Sequence, residues 1–386
     1  MTIETFKIQI SDKTLEDLSF RLSNTKWPNQ LKDSNWESGT KKDYMQSLVS
    51  YWRSDYNWRS QENNLNSYAQ FKCNVDGIDI HFFYEKGKGP NPLPIILTHG
   101  WPDSFVRYQK IIHLLTDPAS FGGNANDSFD VIIPSLPGFG FSSIPEYSGY
   151  NNSRVADLWA KLMTEKLGYT KFAAAGGDIG SGVTRYLALN YSDLLVGIHL
   201  TDIGIIREIL TSTNENSLSS QELQYKKTVQ QWMSQEGGYM SIQSTKPLTL
   251  AYGLSDSPVG LAAWIIEKFH SWSDCNGNLE NTYSMDELLT NIMIYWLTNT
   301  IGSSARMYYE NTHSLPPMKE IKVPTGLALF PEDILLPPKE WAEKKLNVIH
   351  WTEMSRGGHF TAMEEPDLFV EDVRKFYRTF RSANKH

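Results

Sequence analysis

The sequence predicts an α/β protein in which helices cover both faces of a mostly parallel sheet. Apolar runs typical of strands alternate with amphipathic helical patterns over residues 71–204 and again over residues 316–386. This alternation is the order that parallel strands require. Between the two parts, residues 205–315 show helical periodicity without strand patterns, which predicts an inserted helical cap. Residues 1–70 precede the alternation, and we expect them to form a meander that wraps around the core.

The N-terminal part begins with FKIQI, residues 6–10, whose alternation predicts a strand. Ser11 or Asp12 then provides the N-cap of a helix. A stretch rich in Trp and Asn follows to about residue 68, and it forms the predicted meander. The strand-like runs AQFKCNV and IDIHFFYEK are separated by Asp76-Gly77, a dipeptide typical of tight hairpins.

The remaining strands and helices follow from the same patterns. The strand-like segments are PLPIILT, FDVIIP, FAAAGG, VPTGLALF and NVIHWTEM, and the helical ones include RVADLWAKLMTEKLGY and PDLFVEDVRKFYRTF. In the predicted cap, SPVGLAAWIIEKF and SMDELLTNIMIYWLTNTIGSSARMYYEN carry continuous apolar faces, and Ser284 with Glu287 forms a capping box that opens the second.

The composition excludes several classes of function. With 40% hydrophobic residues among 386, the chain buries a large core, and its net charge of -8 argues against a nucleic-acid binder. Its two cysteines, Cys73 and Cys275, have no metal-ligand spacing, so we expect no metal and no cofactor. Because neither a signal peptide nor a long apolar run is apparent, we expect a soluble cytoplasmic protein without a membrane anchor.

The strongest local signal is Gly176-Gly177-Asp178-Ile179-Gly180-Ser181, which joins a predicted strand to a predicted helix. Small residues stand two positions before and two positions after a central polar residue. This is the pattern of the nucleophile elbow of the α/β-hydrolase fold, with aspartate in the place of serine. The alternative is that Asp178 is a helix N-cap in a glycine-rich turn.

The order of the chain favours the catalytic interpretation, because this fold places its nucleophile, acid and histidine in that order after successive strands. The strand VPTGLALF is followed by Glu332 and Asp333, and the strand NVIHWTEM is followed by the Gly-Gly turn that carries His359. The HGWP turn after an earlier strand makes the backbone amides of Trp101 and Ile179 the candidate oxyanion hole.

An aspartate nucleophile restricts the reaction. Carboxylate attack on an sp3 carbon gives an alkyl ester, so the substrate is expected to be an epoxide or an alkyl halide. A halide site needs side-chain N–H donors, but position 179 is Ile, and Trp101 would supply only half of such a clamp. An epoxide instead needs a proton or hydrogen-bond donor for its alkoxide, which cap tyrosines supply.

The chain resembles the microsomal-type epoxide hydrolases, including their soluble fungal and bacterial members. The matching stretches are HGWPDS, PSLPGFGFS, GGDIGS, EGGYM, SPVGLAAWIIEKF, RMYYEN, FPEDI and RGGHF, and they cover essentially the whole chain. The resemblance implies Asp178 as nucleophile, His359 as base and Asp333, rather than Glu332, as its charge partner. It also implies that Tyr239 and Tyr308 bind the epoxide oxygen, with Tyr309 the weaker candidate for the second, and that the Trp101-Pro102 bond is cis.

We therefore expect a cofactor-independent epoxide hydrolase whose partners are a small apolar epoxide and water. Two alternatives stay open at this point: a haloalkane-type dehalogenase on the same scaffold, and a catalytically silent homologue that only binds ligands. The sequence also leaves a homodimer open, and it does not specify the physiological epoxide, its attacked carbon or the enantioselectivity.

Overall fold

The computed structural model describes residues 3–204, 209–210 and 215–381, and these residues contain a nine-stranded sheet in the order β1-β2-β3-β5-β4-β6-β7-β8-β9. The strands are β1 Glu4–Thr5, β2 Gln70–Val75, β3 Ile78–Glu85, β4 Leu93–Thr98, β5 Phe129–Pro134, β6 Phe172–Gly176, β7 Leu195–Leu200, β8 Ile321–Leu329 and β9 Leu346–Glu353. The pairs from β5 through β9 are parallel, and those between β1, β2, β3 and β5 are antiparallel. The predicted mostly parallel α/β fold is confirmed.

Helices precede, cover and interrupt this sheet. They are α1 Asp12–Ser23, α2 Lys42–Ser54, α3 Trp58–Leu65, α4 Ile112–Thr116, α5 Asn152–Lys161, α6 Ile179–Asn190, α7 Ser220–Gln235, α8 Gly238–Thr245, α9 Pro247–Asp256, α10 Pro258–Trp272, α11 Met285–Thr298, α12 Ile301–His313, α13 Lys339–Glu343, α14 Thr361–Glu364 and α15 Pro366–Arg381. Among these helices, none combines the length and the apolar character that crossing a bilayer requires.

The main core lies between the sheet and its helices. Every residue of β5 and β6 is buried, as expected for central strands covered on both faces. Helix α6 packs on β6, and α15 packs on β7 and β8. The ring of Phe376 lies where Cβ atoms would project from Gly197 and Gly326, so these two glycines let α15 approach the sheet closely.

The strand predicted for residues 6–10 is wrong, because β1 covers only Glu4–Thr5. The backbone N–H of Ile8 donates to Asn66 Oδ1, and that of Ile10 donates to Glu62 Oε1, both at 2.8 Å. Side chains from the end of α3 thus hold this segment in place of a partner strand. The expected meander itself consists largely of helices α1 to α3.

One turn prediction and one helix-capping prediction are confirmed, and one helix boundary differs. Asp76 and Gly77 both have positive φ, 52° and 86°, as a tight hairpin between β2 and β3 requires. The side chain and backbone of Ser284 form the predicted capping box with Glu287. The long apolar pattern after Ser284 is two helices instead of one, because Asn299 is left-handed, with φ 51°, and ends α11.

The helices from α7 to α12 lie between β7 and β8 in the chain, where the sequence predicts a cap over residues 205–315. Residues 205–208 and 211–214 of that range lie outside the described residues. The division into a meander, a core and a cap stays a prediction.

In the sheet, the carboxyl ends of β4, β6, β7, β8 and β9 point to one edge, because these strands are parallel.

Candidate active site

Asp178 lies in a strained turn between β6 and α6. Its backbone angles, φ 57° and ψ -126°, are unfavourable for a residue with a side chain. A Cβ atom at Gly176 would lie 2.4 Å from the carbonyl oxygen of Gly180, and one at Gly180 would lie 1.9 Å from that of Thr98. The turn therefore needs both flanking glycines. The side chain of Asp178 makes no helix-capping hydrogen bond, so the simple N-cap alternative does not hold.

Two backbone amides face the Asp178 carboxylate. The N–H of Trp101 donates to Asp178 Oδ1 at 2.9 Å, and the N–H of Ile179 also interacts with this carboxylate. Burial by itself raises the pKa of Asp178, but hydrogen bonding and the charge of His359, followed by the two amides, hold it below its ordinary value. A Cβ atom at Gly100 would lie 2.4 Å from Asp178 Oδ1, so the HGWP glycine makes room for the carboxylate. The Trp101-Pro102 bond is cis, as the resemblance implies.

His359 lies between Asp178 and Asp333. Its Nδ1 donates to Asp333 Oδ1 at 2.7 Å, and its Nε2 lies 3.5 Å from Asp178 Oδ2, with its side chain only 3% exposed. Burial lowers the pKa of His359, but the charge of Asp333 and the interactions with both carboxylates raise it to about 10. Glu332 is exposed, and its backbone N–H donates to the oxygen of Gly357. Of the two candidate acids, Asp333 is the one that contacts the imidazole.

The loop that carries His359 is held from several directions. The N–H of His359 donates to the oxygen of Trp272 at 2.8 Å, and Arg107 donates to the oxygen of His359 at 2.6 Å. The carboxylate of Glu364 accepts the amides on both sides of His359, and Asp274 accepts the amide before them. These contacts hold the imidazole at a defined distance from Asp178.

Tyr239 and Tyr308 pack around the indole of Trp101. The ring of Tyr239 stacks on it with centroids 5.4 Å apart, and the ring of Tyr308 meets it edge-on at 5.8 Å. Burial, followed by the charge of Asp178 for Tyr239 and of Tyr239 for Tyr308, raises the pKa of both phenols well above the ordinary value. Both are therefore neutral hydrogen-bond donors at neutral pH. Tyr309 is 39% exposed and stacks on His313 away from this group.

These side chains surround one cavity of about 180 Å³. Asp178, His359, Asp333, Tyr239 and Tyr308 all line it, together with Ile179. The rest of its wall is largely apolar and includes Ile203, Trp232, Met240 and Leu335. A small cavity with an apolar wall and few convergent polar groups is typical of a site for a small apolar molecule.

Asp202 also belongs to the site, although the sequence patterns above did not indicate it. It follows β7, and its Oδ2 accepts the backbone N–H of Asp178 at 2.6 Å. Burial, then the negative charge of Asp333, raises the pKa of Asp202 to about 6. The apolar run LVGIHL followed by a polar pair, Thr201-Asp202, is a signal that would have indicated it. Within the described residues, no cluster of His, Cys, Asp and Glu has the arrangement of a metal site.

Nearly the whole chain is similar to known proteins. The family model described as "Epoxide hydrolase N terminus" matches residues 3–108, and the model described as "alpha/beta hydrolase fold" matches residues 94–236. "Epoxide hydrolase 1" of Sus scrofa is 40% identical over 406 residues, which cover 97% of this chain and 88% of that protein.

Two solved structures agree with these matches. The epoxide hydrolase of Aspergillus niger superposes with a TM-score of 0.85 at 29% identity, covering 98% of this chain and 97% of that one. The juvenile hormone epoxide hydrolase of Bombyx mori also gives 0.85 at 29% identity, covering 99% of this chain and 94% of that one. The similarity therefore extends from the N-terminal helices through the sheet to the C-terminal helix.

Proposed function

Since this chain belongs to the epoxide hydrolase family, we propose that it adds water to a small apolar epoxide and releases a vicinal diol through an ester on Asp178. One observation supports this most strongly. A carboxylate with one oxygen held by the Trp101 amide and the other facing His359 shares a cavity with two neutral phenols, Tyr239 and Tyr308. The proposal assigns each of these groups one role.

In the first step, Asp178 Oδ2 attacks an epoxide carbon. Oδ1 stays in its hydrogen bond with Trp101 and becomes the carbonyl oxygen of the ester. The epoxide C–O bond breaks, and its electron pair goes to the epoxide oxygen. Tyr239 and Tyr308 donate to this oxygen, because an alkoxide is a poor leaving group unless it is protonated or hydrogen-bonded.

In the second step, His359 activates water. Its pKa of about 10 in the free protein depends partly on the charge of Asp178, and ester formation removes that charge. The pKa of His359 therefore falls, and the proton that it releases restores the phenol that gave its own proton to the alkoxide. The neutral imidazole then takes a proton from water as the water attacks the ester carbonyl carbon. The amides of Trp101 and Ile179 stabilise the resulting oxyanion on Oδ1. When this intermediate collapses, the ester C–O bond breaks and the diol oxygen takes the proton held by His359. The new Asp178 carboxyl group then gives its proton to His359, which restores the starting state.

The two alternatives have less support. The relatives carry epoxide hydrolase names, and Ile179 gives no side-chain donor for a halide. A silent binding protein would not need the contacts of His359 with Asp178 and Asp333. The cytoplasmic location and the homodimer stay predictions, which cell fractionation and sedimentation would test.

A single turnover in oxygen-18 water tests the proposal. With enzyme in excess over styrene oxide as the probe, we expect the label in the peptide that contains Asp178 and unlabelled oxygen in the first-turnover diol. Water that attacks the epoxide directly would put the label in the diol and none in the peptide, which would refute the ester. The Asp178→Ala variant is the control, and bromide release from 1-bromobutane tests the dehalogenase alternative.

A further inference from the structure

Lys268 lies in α10 behind the ring of Tyr239, and its side chain is only 6% exposed. Its ammonium nitrogen lies 4.8 Å from the centroid of the Tyr239 ring and 5.6 Å from that of Trp272. It also contacts the carboxylate of Glu267, and Glu236 Oε2 lies 3.9 Å away. Lysine is seldom this buried without carboxylate partners, and the two glutamates provide them.

The position over the ring distinguishes this ammonium from an ordinary buried ion pair. A cation on the face of an aromatic ring is attracted by the negative charge of the π-system. When a phenol gives its proton to an alkoxide, negative charge spreads into its ring, so the attraction increases. An interaction that becomes stronger as the reaction proceeds lowers the barrier instead of only binding the substrate.

The two tyrosines are not equivalent in this respect. Within the described residues, no cation lies over the ring of Tyr308. The rings of Tyr239 and Tyr308 meet edge-on with centroids 5.9 Å apart, whereas the ammonium of Lys268 lies over the face of the Tyr239 ring. Tyr239 is therefore the phenol whose ionised form this cation can stabilise.

We propose that Lys268 is a positioning residue that stabilises negative charge on Tyr239 during ring opening, so that Tyr239 is the phenol that gives its proton to the alkoxide. This inference rests on the proposed function. Lys268 is expected to affect the rate of ester formation on Asp178 but not the rate of ester hydrolysis, because the phenols take no part when water attacks the ester.

Pre-steady-state kinetics separate the two steps. Wild type, Lys268→Met and Lys268→Arg are mixed with excess styrene oxide and quenched, and intact mass gives the fraction of chain that carries the ester. We expect Lys268→Met to slow ester formation by about three- to thirtyfold, the range that cation–π interactions span from exposed to desolvated sites, and Lys268→Arg to recover most of it. Hydrolysis of the ester should stay unchanged in both.

Glu236→Gln provides a second variant with the opposite expected sign. The Glu236 side chain is 38% exposed, so its amide should be tolerated, and the change removes a negative charge near Lys268 and Tyr239. We expect faster ester formation. If Lys268→Met does not fold, slower ester formation in this variant still overturns the inference.

The preference between two substrates is a further measurement, and it would not change if Lys268 had only a structural role. A trifluoromethyl group next to the epoxide stabilises the alkoxide and reduces the need for a strong donor. The preference for the trifluoromethyl epoxide over its methyl analogue should therefore increase in Lys268→Met.

The inference is overturned if Lys268→Met forms the ester at the wild-type rate, if it slows both steps equally, or if Glu236→Gln slows ester formation. A wild type that forms no ester contradicts the proposed function itself, and this inference with it. A wild type that forms the ester beside an unaffected Lys268→Met leaves the proposed function intact.

Discussion

Replacing Asp333 by asparagine removes the charge next to His359 and preserves the shape of the side chain. Asp333 Oδ1 lies 2.7 Å from His359 Nδ1, and both side chains are 3% exposed, so little solvent screens the pair. An amide at this position does not stabilise the imidazolium that forms when water loses its proton. We therefore expect the ester on Asp178 to form and then persist.

The structure sets the size of this effect. Leaving one charge of a buried ion pair without its partner costs about 3–5 kcal/mol of free energy. Here the unpaired charge is the imidazolium of the hydrolysis step, so the loss is added to the barrier, and each 1.36 kcal/mol of barrier changes a rate about tenfold. Hydrolysis of the ester should therefore slow by about a hundredfold to several thousandfold. The pKa of His359 should also fall from about 10, because the charge of Asp333 is the largest of the interactions that raise it.

Glu332→Gln is the matched control, since it removes the neighbouring carboxylate. Glu332 is exposed and contacts the His359 loop through its backbone N–H, which glutamine retains. Intact mass after mixing with styrene oxide should show persistent ester in Asp333→Asn and transient ester in Glu332→Gln. Hydrolysis at the wild-type rate in Asp333→Asn, or an equal loss in Glu332→Gln, would refute the assignment of Asp333.

Two further perturbations test other parts of the site. Tyr239→Phe and Tyr308→Phe should each slow ester formation by about ten- to a hundredfold in quenched-flow assays, because a hydrogen bond to a charged group contributes about 1.5–3 kcal/mol; a double variant with normal alkylation would contradict this role. Asp202→Asn keeps an acceptor for the Asp178 amide and removes a carboxyl group whose pKa is raised from 3.8 to about 6. An acid with a raised pKa in the folded state lowers stability as the pH rises from its unfolded pKa through its folded one, so this variant should gain up to about 3 kcal/mol at pH 8 and much less at pH 4.5. Urea unfolding measures the difference, and an equal gain at both pH values would exclude this explanation.

Local patterns in the sequence were sufficient for most of the fold and for the elbow. The strand β6 and the helix α6 have clear periodicities, and the steric demand at Gly176 and Gly180 leaves a signature in the sequence itself. The failure at residues 6–10 has a different cause. Side chains more than 50 positions away, Asn66 and Glu62, take the hydrogen bonds that a partner strand would take, and no local pattern contains that information.

The same limit applies to the supporting residues of the site. Glu364 accepts the backbone N–H of Asp274, 90 positions away, and Lys268 lies over the face of the Tyr239 ring. In the sequence both therefore look like ordinary helix residues. The local pattern alone does not separate Glu332 from Asp333, since both are carboxylates at the end of the same strand, and only the resemblance favoured Asp333. The structure shows which of the two reaches the imidazole.

The position of helix α10 affects two groups of the proposed site at once, because the helix contacts both His359 and Tyr239. Its last residue, Trp272, accepts the backbone N–H of His359, and its Lys268 lies over Tyr239. A displacement of this helix away from the sheet would therefore move the proposed base, His359, and the proposed proton donor, Tyr239, together. The placement of His359 and the placement of the Tyr239 ring thus depend on one helix, α10, and not on two independent elements.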